Sequence, residues 1–168
     1  CPKPPVQQNS GRLILREEES RIIISGESLF AVYHKEKGAF EQVEADGRLC
    51  FKNGGEIFYR AETGIDEGTH ETDSLRNYKA YWENAGLHRL HKKVRNIESF
   101  MAGNRAVLEE QAEFAPSGHE DADAGQTPLL VTFTRYEFFG RQLTVHSRVI
   151  NQSGLCTLPR IGRVFCLD

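Results

Sequence analysis

Runs of β-branched and aromatic residues, each about four to eight long and each cut off by glycine or charged turn residues, constrain this chain most. Arg12 to Arg16, Arg21 to Ser25 and Leu29 to His34 are such runs, with Glu17-Glu18-Glu19-Ser20 turning the chain between the first two. β-Branched and aromatic side chains fit a pleated, half-buried surface better than a helix. Lys35-Glu36-Lys37-Gly38 predicts a tight turn with glycine free to take positive φ. Phe40 to Ala45 and Arg48 to Lys52 flank Asp46-Gly47, a two-residue hairpin signal. One strand and turn every ten residues or so predicts an all-β sandwich.

The rhythm breaks in the middle. Residues 60–73 are polar, carry Gly64 and Gly68, and hold Glu62, Asp66, Glu67, Glu71 and Asp73. We read this stretch as a long loop, either a lid or a solvated connector. One short helix is predicted over 74–85, with Leu75, Tyr78, Tyr81, Trp82 and Ala85 on one face. Asp73 or Ser74 can cap its start and Gly86 can supply a left-handed stop. Trp82 reads as a core anchor. His91 to Phe100 is a strand, Ala106 to Phe114 fits either helix or strand, and residues 117–126 form an exposed acidic loop. Leu129 to Phe139 pairs with Gln142 to Ile150 across Gly140-Arg141, and Arg160 to Leu167 is the last strand.

Composition excludes several classes. With 39% apolar and 27% charged residues in 168, the chain is an ordinary soluble one. Disorder throughout is excluded by the supply of large apolar residues. No apolar run approaches the roughly 20 residues of a membrane helix, so no membrane partner is expected. A net charge of -3 argues against nucleic acid, whose phosphates demand a basic surface. Cytoplasm and periplasm both stay open. Pro2, Pro4 and Pro5 make residues 1–10 read as a linker from a preceding domain, and 11–168 as part of a longer protein.

Catalytic signatures are missing from the string. Cys1, Cys50, Cys156 and Cys166 form no CxxC pair, and Cys50 and Cys166 are expected as reduced core thiols. His88 and His91 lack a third ligand and read as surface histidines at a helix exit. Asp121 and Asp123 lack the rest of a calcium loop and read as a solvated hairpin tip. No GxSxG, HExxH or phosphate loop occurs. The 62–73 carboxylates are a poor glycosidase pair, because that chemistry needs two carboxyls at a fixed separation and a flexible loop does not fix one.

Three segments nonetheless form an ordered set. Asn53-Gly54-Gly55-Glu56-Ile57-Phe58-Tyr59-Arg60-Ala61-Glu62-Thr63-Gly64-Ile65-Asp66-Glu67-Gly68 resembles the G-p-x-x-n-f-w-R-A-p-t-D-N-D-x-G segment of family-2 β-galactosidases. Trp82-Glu83-Asn84-Ala85-Gly86-Leu87-His88-Arg89-Leu90 looks like the W-x-x-A-G-L-x-x-L that follows it there. Leu158-Pro159-Arg160-Ile161-Gly162-Arg163-Val164-Phe165 looks like the family's l-P-R-i-G-l-x-f. Each is weak alone; in this order, spread over nearly the whole chain, they are specific.

The resemblance implies the N-terminal part of the C-terminal small-chain domain, a β-supersandwich related to galactose mutarotase. It implies a parent that hydrolyses terminal β-D-galactosides with retention. The catalytic glutamates and most ligands of the Mg2+ and Na+ ions would lie in a separate (β/α)8 barrel. This chain would then carry no catalytic residue, metal or cofactor. Its partners would be that barrel, an immunoglobulin-like domain and the galactoside. Arg60, Thr63, Asp66, Gly68, Thr69, His70 and Glu71 would line a substrate-proximal loop at the active-site mouth. The family's Asp-Asn-Asp is Gly64-Ile65-Asp66 here and its Pro is Glu62, while Arg60, Ala61, Thr63, Asp66 and Gly68 match. The alternative is a stand-alone carbohydrate-binding or mutarotase-like module. A mutarotase needs a His and a Glu in a concave sheet, for which no motif is visible, and a binding module presents exposed aromatics.

Overall fold

The computed structural model describes residues 11–60, 78–117, 127–155 and 157–167. The first ladder is β1 (Ile14–Glu17), β2 (Arg21–Ser25), β3 (Leu29–His34), β4 (Ala39–Ala45) and β5 (Arg48–Ile57). A helix, α1 (Tyr78–Asn84), and a single 3-10 turn, Leu87–Arg89, lead into β6 (Leu90–Ala102) and β7 (Arg105–Pro116). β8 (Leu130–Phe139), β9 (Gln142–Asn151) and β10 (Gly162–Cys166) follow.

The strands form two antiparallel sheets, β1-β2-β3-β4-β5-β10 and β6-β7-β8-β9, and the fold is an all-β sandwich. Ile22, Ile24, Ala31, Tyr33, Phe40 and Val43 of the first sheet pack on Ala106, Leu108, Tyr136 and Phe138 of the second. Phe40 meets Tyr33, Tyr136 and Phe138 edge to face, with centroids 4.9, 5.1 and 5.7 Å away. A smaller cluster of Phe58, Ala112, Phe114 and Leu130 sits below it. Period-2 burial along the strands drives this layering, since one face of each antiparallel sheet can stay wet.

Local expectations hold at the turns. Gly38 has φ 62, and Asp46 and Gly47 have φ 51 and 69 at the β4–β5 hairpin. β8 and β9 pair across Gly140-Arg141 with Phe139 opposite Gln142. The ambiguous stretch at 106–114 is strand β7, central between β6 and β8. β5 runs past the expected Lys52 to Ile57, through Gly54 and Gly55. β10 makes this possible: the Phe165 ring lies over Gly54, where a Cβ would come within 2.9 Å of it.

Two expectations are corrected. Cys50 and Cys166 are both exposed rather than core thiols. Leu49 and Phe51 turn toward the core, so the alternation of β5 sends Cys50 outward. Only Trp82 of α1 is buried, while Tyr78 and Tyr81 are 41% and 51% exposed. Tyr81 is one position, hence about 100° around the helix, from Trp82. Tyr78 stacks on the outer side of the indole, with centroids 5.9 Å apart. The helix residues expected at 74–77 and the acidic loop at 118–126 fall outside the described residues, as do residues 1–10.

Candidate functional site

The three motif segments converge. Arg60 Nε donates to the Pro159 carbonyl at 3.2 Å, and its guanidinium lies 5.6 Å from the Trp82 ring centroid. Trp82 Nε1 donates to the Thr157 carbonyl at 3.3 Å. The residue that enters the 61–77 stretch and the helix that leaves it are thus both pinned to 157–159. Gly86 ends the helix at φ 78, where a Cβ would lie 2.7 Å from the Pro116 ring. That conformation suits glycine and lets Leu87 turn inward to 2% exposure.

Beside this clamp, a charged group spans the two sheets. Glu56 on β5 accepts from Arg163 Nη2 at 2.6 Å and from Lys92 Nζ at 3.0 Å. Glu56 and Arg163 are directly opposed in the β5–β10 register. Lys92, from β6 in the other sheet, also donates to the Gly38 carbonyl at 2.6 Å and faces Glu110 Oε1 at 2.9 Å. The Tyr33 hydroxyl donates to the other Glu110 oxygen. Arg163 Nη1 donates to the Tyr136 hydroxyl at 2.5 Å. The side chains of Glu56 and Glu110 are 4% and 0% exposed.

Burial shapes the titration of this group. It raises the Glu110 carboxyl above its ordinary value, against the pull of Lys92 and the Tyr33 hydroxyl. Burial, then the Glu110 charge, holds the Tyr33 phenol well up. Tyr136 is raised by the same two causes in the same order, with Arg163 opposing. A raised carboxyl resembles a general acid. Its oxygens, however, are enclosed by Tyr33 and Lys92, which leaves a substrate no approach to them. The group is an interlock between sheets.

A cavity of about 300 Å³ opens next to it, lined by Gly54, Gly55, Glu56, Tyr59, His88 and Lys92 among others. His88 and His91 are exposed, as expected of surface histidines. Of the residues expected in a substrate-proximal loop, Arg60 is part of the clamp. Thr63, Asp66, Gly68, Thr69, His70 and Glu71 lie outside the described residues. Among the described residues, no three His, Cys, Asp or Glu side chains are grouped to hold a metal, and no helix is long and apolar enough to cross a membrane.

Sequence reasoning missed the interlock. A signal for one member existed: Ala106, Leu108, Ala112 and Phe114 share an inward face, and Glu110 completes their period. An acid on an apolar strand face implies a buried partner. Its cations, 18 residues upstream and on the last strand, have no local signature.

A family model described as beta galactosidase small chain matches residues 25–168. A search of curated proteins finds no match.

Proposed function

The chain belongs to the β-galactosidase small-chain family, and from that membership we propose that it is a non-catalytic part of a retaining β-galactosidase. Its role is to scaffold a loop at the active-site mouth. The parent cleaves terminal β-D-galactosides with two carboxylates about 5–5.5 Å apart, one a nucleophile and one an acid/base. Those groups, with most ligands of the Mg2+ and Na+ ions, belong to the catalytic barrel. That barrel and the immunoglobulin-like domain are the partners of this chain.

The observation that carries this reading is the clamp. Arg60, Trp82 and the 157–159 carbonyls tie both stems of the 61–77 segment to one point. Fixed stems let a loop change shape between them without loosening the sandwich, which is what gating requires. Thr69, His70 and Glu71 then meet the sugar through hydrogen bonds. Trp82, 4% exposed, is unavailable as a sugar platform, which favours the scaffold over a binding module.

The test is kinetic, in the parent enzyme. Gly68→Ala and Glu71→Ala should change kcat and KM together and leave thermal stability nearly intact. Native kinetics in both, or activity lost only with unfolding, would make the segment a plain connector.

A further inference from the structure

We propose that Glu56 and Arg163 are positioning residues for the loop stems, setting the β5–β10 register that delivers Arg60 onto Pro159. The inference rests on the loop reading above.

The geometry runs as a short ladder. Gly162 pairs with Ile57, Arg163 with Glu56 and Val164 with Gly55. Following β5 forward from Glu56 leads to Arg60. Following β10 backward from Arg163 leads to Pro159, where the two segments meet again through the Arg60 bond. The main chain alone specifies this register poorly. The facing residues on β5 include Gly54 and Gly55, which bring no side chain of their own and meet β10 only through its Phe165 ring, and the register shifts between Phe165 and Cys166. A one-residue slip inverts every side chain on a strand. The Glu56–Arg163 pair resists that slip, because Arg163 is held at once by Glu56 at 2.6 Å and Tyr136 at 2.5 Å. Tyr136 belongs to the other sheet, as does Lys92, which holds the second Glu56 oxygen at 3.0 Å. A slipped β10 would leave Glu56 buried with one cation fewer, a state that burial penalises strongly.

The pair therefore acts at a distance from any substrate, through Arg60 and Trp82. Its loss should look like loss of loop placement rather than loss of fold. Glu56→Gln, Arg163→Met and the double variant are made in the parent enzyme. The double variant removes both charges together and so avoids an orphaned ion. Ile24→Ala, fully buried on β2 and separated from β5 by β3 and β4 in the sheet, serves as a control for stability loss. Well below the melting temperature, we expect kcat/KM of the Arg163→Met enzyme to fall about tenfold or more, since small misplacements near a site are costly. Amide exchange at Tyr59, Arg60 and Tyr78–Ala85 should rise in parallel, and Arg163→Lys should recover part of both. Ile24→Ala should lower the melting temperature with neither effect.

Native kinetics and native exchange in a folded double variant overturn the proposal. So does an effect that Ile24→Ala reproduces at equal stability. If exchange at the stems rises while kinetics stay native, and Gly68→Ala is also silent, the loop reading has failed. If Gly68→Ala alters kinetics and the Arg163 and Glu56 variants do not, only the positioning role has failed.

Discussion

Replacing Trp82 by alanine should unfold the chain at markedly lower denaturant. The ring is 4% exposed, so its truncation belongs to the class that costs about 3–5 kcal/mol. Two polar contributions are lost with it. The indole N–H bond to Thr157 O, 3.3 Å long, contributes about 0.5–1.5 kcal/mol. The Arg60 guanidinium 5.6 Å from the ring centroid adds about 0.5–1 kcal/mol at a partly exposed site. Trp82→Phe separates the parts, keeping most of the apolar ring and losing the N–H. We expect about 1–2 kcal/mol for Trp82→Phe, against the larger loss for Trp82→Ala. Denaturant midpoints at constant m for both variants give the comparison. A change below about 0.5 kcal/mol in Trp82→Ala, the level of a surface site, refutes the clamp. So does a phenylalanine variant that loses as much as alanine, since apolar filling would then count for nothing.

Three further outcomes follow from the same geometry. Gly86→Ala should cost about 1–3 kcal/mol, because it sets a Cβ at positive φ 78 and 2.7 Å from Pro116, and a midpoint shift under a few tenths of that would contradict the turn. Glu110, with its folded value raised by burial, binds its proton more tightly folded than unfolded. The stability it adds is therefore full below the unfolded value near 4.5 and fades as pH rises through the raised one. The native chain should thus lose stability relative to Glu110→Gln as pH rises above the unfolded value near 4.5, and thermal melts showing the reverse trend would reject the desolvated carboxyl. Finally, the purified chain should release no chromophore from a chromogenic β-galactoside, and turnover by the pure chain would reject a non-catalytic role.

How legible this was depended on whether the physics was local. Strands such as Ile22-Ile23-Ile24 and the Asp46-Gly47 hairpin declare themselves, because side-chain stiffness and turn φ are properties of neighbours in sequence. The second half of β5 did not, since Gly54 and Gly55 are poor strand formers and only the distant Phe165 makes their smallness useful. The facing of Cys50 and Cys166 is hidden for a related reason. Apolar runs containing Cys50 and Cys166 do not reveal which of two faces looks inward until the partner strand is known. Trp82 was legible as a buried anchor, yet its partners, Arg60 and Thr157, were visible only as members of separate motifs. The charged interlock was least legible, because lysine, arginine and glutamate read as surface residues until four strands bring them together.

The strand order has a consequence for how this domain forms in time. β1 to β5 are hairpin neighbours and can zip up sequentially, but β10 must find β5 across everything between, joining residue 57 to residue 162. Closing so large a loop is entropically unfavourable before any contact rewards it, and non-local pairing of this sort slows folding. During synthesis the edge of β5 stays open until β10 emerges, with Phe51 lacking the Phe165 ring that later packs 4.5 Å from it. An open sheet edge is a template for the wrong partner. A growing chain therefore carries an open β5 edge for the whole interval between the emergence of β5 and that of β10, and its aggregation risk is concentrated in that interval.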